Sequence, residues 1–557
     1  MTARPLRNYI LAGAFSAGAL GLISQTLLFR EITIATGAND LVLGILLLCW
    51  LISGGLGSAL SPFGERWRFS IYALALASAG SILWCHLLAG ALGPVYGQIW
   101  PLPRTALFIF LSAGPTSFLV GAAFASLSAK FSCIGDPASV YIREGLGSFL
   151  GGLISLGITG LIPPQIALCA AAGLAFAGLR IFAITSRHRW ITAGATLMLF
   201  ILTPLSGSLD AELFERLRSG FTVERVETFH GAVEIAERTG ERYLSVGGEY
   251  LGSSADSSAL EPALYALFGS SEAPVENLLL YGGTLEGAPA LASRFGARRI
   301  VSLFQSAEIL RLGISNFSAF RDLSELDVET RTGDVGLAFR KLEGEYDLIF
   351  LDPGLPSSGA GGRLLTVSAF RGLSDNLDES GRIALVFPAP PNVLNPEEAA
   401  LISSVLAALD SAAGGAAAYH LGGEILLVAP DFGRLGKILS AGELVKPGGR
   451  LPTEYVEGLY EEFRQEALRK ALAKSGAEAN SYRHPAALLL GLMHWERLAG
   501  GGVIRPLAER NLIFWLILAG IIALAISGAR IFGVGAGLHP PIAAFGTGFL
   551  GMGLSIF

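Results

Sequence analysis

Charge is what this chain has least of. Only 15% of its 557 residues are Asp, Glu, Lys or Arg, against about 25% in soluble proteins of ordinary composition. Much of the surface must therefore face something other than water. The formal net charge is -6, which argues against a nucleic-acid partner, because a phosphate backbone calls for a clustered basic face. Cysteine is also scarce. Cys49, Cys85, Cys133 and Cys169 lie in or beside the apolar first third, with neither a CxxC pair nor metal-ligand spacing, so they read as small buried side chains and no metal is expected. No separate leader stands at the start: Arg4 and Arg7 precede a long apolar run, but further runs follow it, and the first is read as a retained helix.

What the chain has in place of charge is apolar length. Hydrophobic residues make up 52% and the mean hydropathy is +0.54. A bilayer core takes about 20 apolar residues per helix, because backbone amides cannot go unpaired in hydrocarbon. Segments near 8–29, 40–60, 69–94, 104–128, 139–161, 164–184 and 190–207 meet or approach that length. They predict an N-terminal bundle of about seven helices over 1–207, with the lipid bilayer as partner. Gly54-Gly55-Leu56-Gly57 and Gly147-Ser148-Phe149-Leu150-Gly151-Gly152 suit close helix packing in lipid, where small residues let backbones approach. Arg143 and Glu144 stand out as the main intramembrane charges, and their position near a helix start reads as an interfacial ion pair. Arg4, Arg7, Arg66, Arg68, Lys130, Arg187 and Arg189 fall on one side if every segment spans, with Arg30 and Arg104 opposite. The positive-inside rule then makes the N-terminus cytoplasmic. A seventh full span places the following domain outside the cytoplasm. Segment 190–207 is short and holds Pro204; lying in the interface, it would return that domain to the cytoplasm.

From Asp210 charged residues become frequent. Strand-like runs at 277–281, 299–304, 346–351, 381–387 and 424–429, with helical stretches at 285–297 and 333–342, predict an α/β Rossmann-like domain over 208–430 with a small β region at its start. A polar, partly helical extension follows over 431–510. Residues 511–528 form another span, and 541–557 are apolar to the last residue. Phe545-x-x-Gly548-x-Leu550-Gly551 repeats Phe15-x-x-Gly18-x-Leu20-Gly21. This reads as the start of a second bundle and leads to the expectation of a membrane-protein partner that completes it.

In a doubly wound sheet, ligands bind beyond the carboxyl ends of the strands. Tyr281-Gly282-Gly283-Thr284-Leu285-Glu286-Gly287 follows a strand and opens a helix, as a nucleotide-binding turn does, with looser spacing than GxGxxG. Gly282, Gly283 and Gly287 are the candidate cofactor-binding glycines. The next strand ends in Phe304-Gln305-Ser306, without the carboxylate that holds ribose hydroxyls; Gln305 or Ser306 offers a single hydrogen bond. Asp334 suits either an amine contact or helix capping. Asp352 is the one candidate general base or cation-stabilising group, and Glu261 reads as a second carboxylate or an exposed helix residue.

On these motifs residues 215–430 resemble the spermidine synthase (polyamine aminopropyltransferase) family. The whole chain looks like its bacterial membrane-integrated members, through Gly18…Gly21-Leu-Ile-Ser-Gln25-Thr-Leu-Leu-Phe-Arg30-Glu31 and Val140-Tyr141-Ile-Arg-Glu-Gly145-Leu-Gly147-Ser-Phe-Leu-Gly151. The resemblance implies a bacterial inner-membrane protein and aminopropyl transfer from decarboxylated S-adenosylmethionine to a polyamine. The family's polar ligands are mostly missing. Phe304 replaces the ribose carboxylate, and Ala259-Leu260-Glu261 replaces Tyr-His-Glu. Leu355 replaces the second Asp of Asp-x-x-Asp-Pro, and Gly362-Arg363-Leu364-Leu365-Thr366 replaces Asn-Arg-Phe-Tyr-Thr. Gly333-Asp334 and Asp352 are kept, and of Tyr-His-Glu only the glutamate survives, as Glu261. Losing one hydrogen-bonded carboxylate toward a charged ligand costs about 2–5 kcal/mol. The expectation is therefore a catalytically degenerate structural or binding subunit of a membrane complex with no cofactor. The alternatives are a transferase using S-adenosylmethionine or its decarboxylated form, and a transporter-like protein.

Overall fold

The structure is a computed structural model. It describes residues 3–37, 39–61, 67–94, 98–182, 185–217, 221–229, 231–255, 260–271, 274–389, 394–444 and 452–502. The expected spans at 511–528 and 541–557 lie outside these. Two compact units are present. The first holds Met1–Ala35 and Val42–Ser219; the second holds Gly220–Leu498 with the short segment Thr36–Leu41.

The first unit is a helix bundle: α1 (Ala3–Thr36), α2 (Asp40–Leu60), α3 (Trp67–Leu92), α4 (Leu102–Phe131), α5 (Ala138–Ile158), α6 (Pro164–Ile181) and α7 (Ser186–Leu217). All but α5 contain a stretch long and apolar enough to cross a membrane. Helix α5 shows Ile142, Leu146, Phe149, Leu153 and Leu156 on its open face, as a lipid-facing helix does. Its other face is made of glycine. A Cβ on Gly147 would lie 2.0 Å from the Phe15 carbonyl oxygen, and one on Gly18 would lie 2.1 Å from that of Glu144. Helices α2 and α4 meet the same way, with a Cβ on Gly121 falling 1.9 Å from the Gly54 oxygen. Backbone-to-backbone contact of this kind holds helices together where lipid supplies no hydrophobic drive.

Two sequence expectations change here. Helix α7 does not stop near 207 but continues through Pro204 to Leu217, so Asp210 sits on it. No Arg143–Glu144 pair occurs among the ion pairs of the described residues; Glu144 Oε1 accepts the Ser148 hydroxyl at 3.0 Å, one turn along the helix.

The second unit opens with an antiparallel four-stranded sheet of β1 (Thr222–Thr228), β2 (Gly231–Arg238), β3 (Glu241–Val246) and β4 (Glu249–Ser253). There follow α8 (Glu261–Gly269), β5 (Asn277–Tyr281), α9 (Ala288–Arg294), β6 (Arg299–Phe304), α10 (Ala307–Asn316), α11 (Ser318–Glu325), β7 (Glu329–Thr332), α12 (Val335–Arg340) and β8 (Tyr346–Leu351). Then come α13 (Gly359–Leu364), α14 (Val367–Ser374), β9 (Leu377–Pro388), α15 (Pro396–Ala413), β10 (Ala417–Leu421) and β11 (Glu424–Ala429). Helices α16 (Arg434–Ala441), α17 (Thr453–Leu459), α18 (Glu462–Ser475) and α19 (Ala486–Leu498) complete the unit.

The large sheet runs β10-β11-β9-β8-β5-β6-β7. Strands β5 to β9 are parallel, and β11 inserts antiparallel between β9 and β10. This is an α/β Rossmann-like fold of the methyltransferase type. Its apolar runs bury both faces: Leu279, Ile349, Leu351, Ile383 and Leu385 join one core, while Leu278, Leu280, Leu348, Phe350 and Ala384 join the other. The two-residue side-chain period of a strand produces that split. The polar extension is not separate, since residues to Leu498 belong to this unit. Asn480 donates to the carbonyls of Gly362 at 3.1 Å and Leu365 at 2.8 Å, and a Cβ on Gly491 would lie 2.1 Å from the Pro356 oxygen.

Gly147→Leu and Gly121→Leu should each destabilise the detergent-solubilised full chain by about 1–3 kcal/mol through overpacking, read as a lower Tm. Gly145→Ala, with open space around its position, should leave Tm unchanged or slightly raised.

Candidate functional site

The sheet order reverses between β5 and β8, and ligands of such folds bind at the carboxyl end of that junction. Tyr281-Gly282-Gly283 ends β5 and Asp352 ends β8. The Asp352 amide donates to the Tyr281 carbonyl at 2.7 Å. Gly282, with φ +79°, lies so close that a Cβ would stand 2.4 Å from the Asp352 oxygen. Gly283, with φ +69°, faces Leu260 and Ala288, which is a packing role. Gly287 takes the left-handed conformation just before α9. That helix is only seven residues long, so the expected helix N-terminal anion site gains no support.

The residues expected to meet a nucleoside are occupied with the fold itself. Phe304 is buried in a cluster with Val233, Leu244, Leu285, Ile309 and Phe320 that joins the small sheet to β6. Ser306 caps α10 by accepting the Ile309 amide at 3.3 Å. Asp334 caps α12 by accepting the Leu337 amide at 2.7 Å. Gln305 turns inward, its Nε2 donating to the Tyr281 hydroxyl at 3.2 Å. Leu355, in the place of a second Asp, packs against the main core. Glu261 is not exposed: it is 6% accessible at the start of α8.

Carboxylates do gather at the junction, from positions that sequence reasoning passed over. Glu424 opens β11, in register with Pro388 at the end of β9. Burial together with the like charges of Asp352 and Glu286 pushes its carboxyl up to about 8. Its Oε2 is shielded from solvent and has no hydrogen-bond partner among the described residues. Burial raises Asp352 to about 6, against the opposing hydrogen bond from the Gly354 amide. Glu249, on β4, is exposed at the surface, and the partial desolvation of its carboxyl by neighbouring protein raises it too. A Cβ on Gly354 would lie 4.0 Å from a Glu249 carboxylate oxygen, and one on Gly252 would lie 3.0 Å from Glu286 Oε1. Burial likewise raises the Tyr281 hydroxyl, to which Glu249 and Asp352 add. Such an arrangement holds net negative charge in a place poorly screened by water, which favours a cationic guest. The signal in sequence was slight: one acidic residue opening a late strand, and two in the small sheet and the glycine turn.

The chain thus combines a unit of apolar helices with an α/β Rossmann-like domain that has carboxylates at its strand reversal. Three solved structures are similar in fold. A spermidine synthase in complex with the transition state analogue AdoDATO matches with TM-score 0.37 and 13% identity, over 44% of this chain and 88% of that one. The spermidine synthase of Thermotoga maritima gives 0.33 and 12%, over 43% and 84%. A probable spermidine synthase from Corynebacterium glutamicum gives 0.31 and 15%, over 47% and 96%. No protein-family model matches the chain, and no curated protein matches it.

The raised carboxyls set a sign for stability against pH. The folded state binds protons at Glu424 and Asp352 that the unfolded chain releases, starting from ordinary values of 4.5 and 3.8. Their contribution is intact below those values and is lost as pH rises through about 6 for Asp352 and about 8 for Glu424. Glu424→Gln should therefore raise the Tm of the full chain in detergent at about pH 8.5 and leave it nearly unchanged at about pH 4.

Proposed function

We propose that the α/β domain is a membrane-tethered binding domain for a cationic amine of the polyamine class, and that it does not perform aminopropyl transfer. The observation that carries this reading is the gathering of Asp352, Glu424 and Glu249 at the strand reversal, none of them in an ion pair among the described residues. An ammonium group placed there supplies the missing countercharge. In the same cleft Phe304, Ser306 and Asp334 are taken up by packing and capping, so a ribose and an adenine find few polar partners. Asp352 alone could accept a proton from an amine, since its carboxyl sits near neutrality. Transfer also requires an aligned donor, and alignment rests on contacts this cleft lacks.

The bundle supports a location to match. Among the described residues six helices are long and apolar enough to cross; counting the lipid-facing α5 as a seventh span, with the N-terminus cytoplasmic by the positive-inside rule, we place the α/β domain outside the cytoplasm, where adenosyl donors are scarce. A domain that captures amines in that compartment would act as a binding subunit of a membrane assembly, with a protein partner contributing further helices.

Titration calorimetry of the purified full chain with spermidine tests the amine reading. Binding should tighten as pH rises from about 5.5 to 8.5, because the carboxyls lose protons while the amines stay charged to about pH 10. Protons should be released on binding near neutral pH. Glu424→Gln and Asp352→Asn should each weaken binding by about 2 kcal/mol, roughly 30-fold. Micromolar binding of decarboxylated S-adenosylmethionine, abolished by Asp334→Ala, would instead establish the transferase reading.

A further inference from the structure

Three ionisable side chains meet inside the bundle. His86 on α3 sits between two carboxylates: its Nε2 is 3.1 Å from Glu31 Oε2 on α1, and its Nδ1 is 2.6 Å from Asp210 Oδ1 on α7. The glutamate and the histidine are almost wholly enclosed, at 1% and 6% accessibility, while Asp210 is 15% exposed. All three lie within two turns of the end at which α1, α3 and α7 finish. The sequence reading named Arg143 and Glu144 as the charges of the spans and left Asp210 to the following domain, so this grouping was not foreseen.

The geometry fixes the proton count. Each of the two hydrogen bonds to the ring needs one proton, and a carboxylate supplies none. Either His86 is an imidazolium between two carboxylates, or it is neutral and one carboxyl is protonated. Both arrangements hold two protons and differ only in where one of them sits. Ionisable groups enclosed among spanning helices are costly to keep and mark proton or ion pathways when they occur, and imidazole is the side chain that takes and releases a proton near neutral pH.

We propose that Glu31, His86 and Asp210 form a proton relay within the bundle, with Asp210 as the way in and Glu31 as the inner station. In the forward step a proton on the Asp210 carboxyl passes to Nδ1, and the proton on Nε2 passes to Glu31. One N–H bond forms and one breaks, the ring changes tautomer, and one proton has moved from α7 to α1. The next polar contact inward between α1 and α3 is Ser24 Oγ donating to Ser78 Oγ at 2.9 Å. It lies seven residues deeper on α1, about 10 Å along the helix. Arg30 on α1, Arg104 on α4 and Glu212, Glu215 and Arg216 on α7 are further charged residues towards this end, and they contribute to the field in which the relay works. The buried Gln165 of α6 donates to the Ala79 carbonyl at 2.7 Å and has no titratable proton.

The test uses the full chain, labelled with 15N-histidine, in lipid nanodiscs. His86 is assigned by comparing wild type with Asp210→Asn and Glu31→Gln, and with His86→Gln where that variant elutes as a single species. A relay requires the His86 ring signals to change protonation or tautomer between about pH 5 and pH 9. Asp210→Asn should slow exchange of the ring N–H with deuterated buffer by at least about tenfold, whereas Glu31→Gln should leave the rate of first exchange near wild type and shift the midpoint of the titration. Ring signals that stay fixed across the whole pH range would overturn the proposal, as a permanently charged clasp gives that result. Exchange slowed equally by both variants would overturn the assignment of Asp210 as the way in.

Discussion

Negative charge held out of water shapes both halves of this molecule. At the carboxyl end of the large sheet, the tight passage of Gly282 against Asp352 brings β5 and β8 together, and the aspartate carboxyl is trapped beside them in a weakly screened space. Glu424 and Glu286 crowd in from β11 and from the glycine turn, and Glu249 from the small sheet. Each carboxyl raises the cost of ionising its neighbours, so protonation, ligand charge and stability become one linked quantity. The bundle handles the same difficulty differently. There an imidazole lies between two carboxylates, and the hydrogen bonds themselves dictate how many protons must be present.

Much of the fold could be read from the chain because apolar periodicity is strong wherever burial is complete. The runs at 277–281, 299–304, 346–351 and 424–429 are buried on both faces and coincide with strands. Weak or mixed patterns were harder. Ala417–Leu421 has small residues and a histidine, and Glu329–Thr332 is a short polar edge; neither announces a strand. Helix α7 outran its expected end because Asp210 and Glu212 look like the start of a soluble region, although the helix carries them on to Leu217. The glycines of α2 and α5 were legible as close contacts, because small residues let two backbones approach; their partners Gly121 on α4 and Gly18 on α1 were not.

The site was legible only by half. Glycine, aspartate and phenylalanine at known offsets from strand ends told which nucleoside contacts were missing, and the structure gives the reason: Phe304 is needed to bind the small sheet to β6, and Ser306 and Asp334 serve as helix caps. The acidic residues that do line the junction could not be found this way. Glu249, Glu286 and Glu424 are separated by long stretches of chain, and none stands in a motif. Only the antiparallel insertion of β11 and the folding over of the small sheet bring them to Asp352. Sequence reasoning looked for carboxylates at inherited positions, and the fold supplies others from elsewhere.

The tail of the α/β domain has a mechanical meaning that follows from one missing side chain. Gly491 lets α19 press directly on the Pro356 carbonyl, while Asn480 ties the same segment to the ends of α13. The stretch running from Asp352 to Leu365 is thus clasped along its length by residues that come more than a hundred positions later in the chain. It cannot swing aside as a free flap; it shifts only if α19 slides with it. A guest that draws Asp352 inward therefore works against the packing of α19, which ties the last helix of the domain to what occupies its centre.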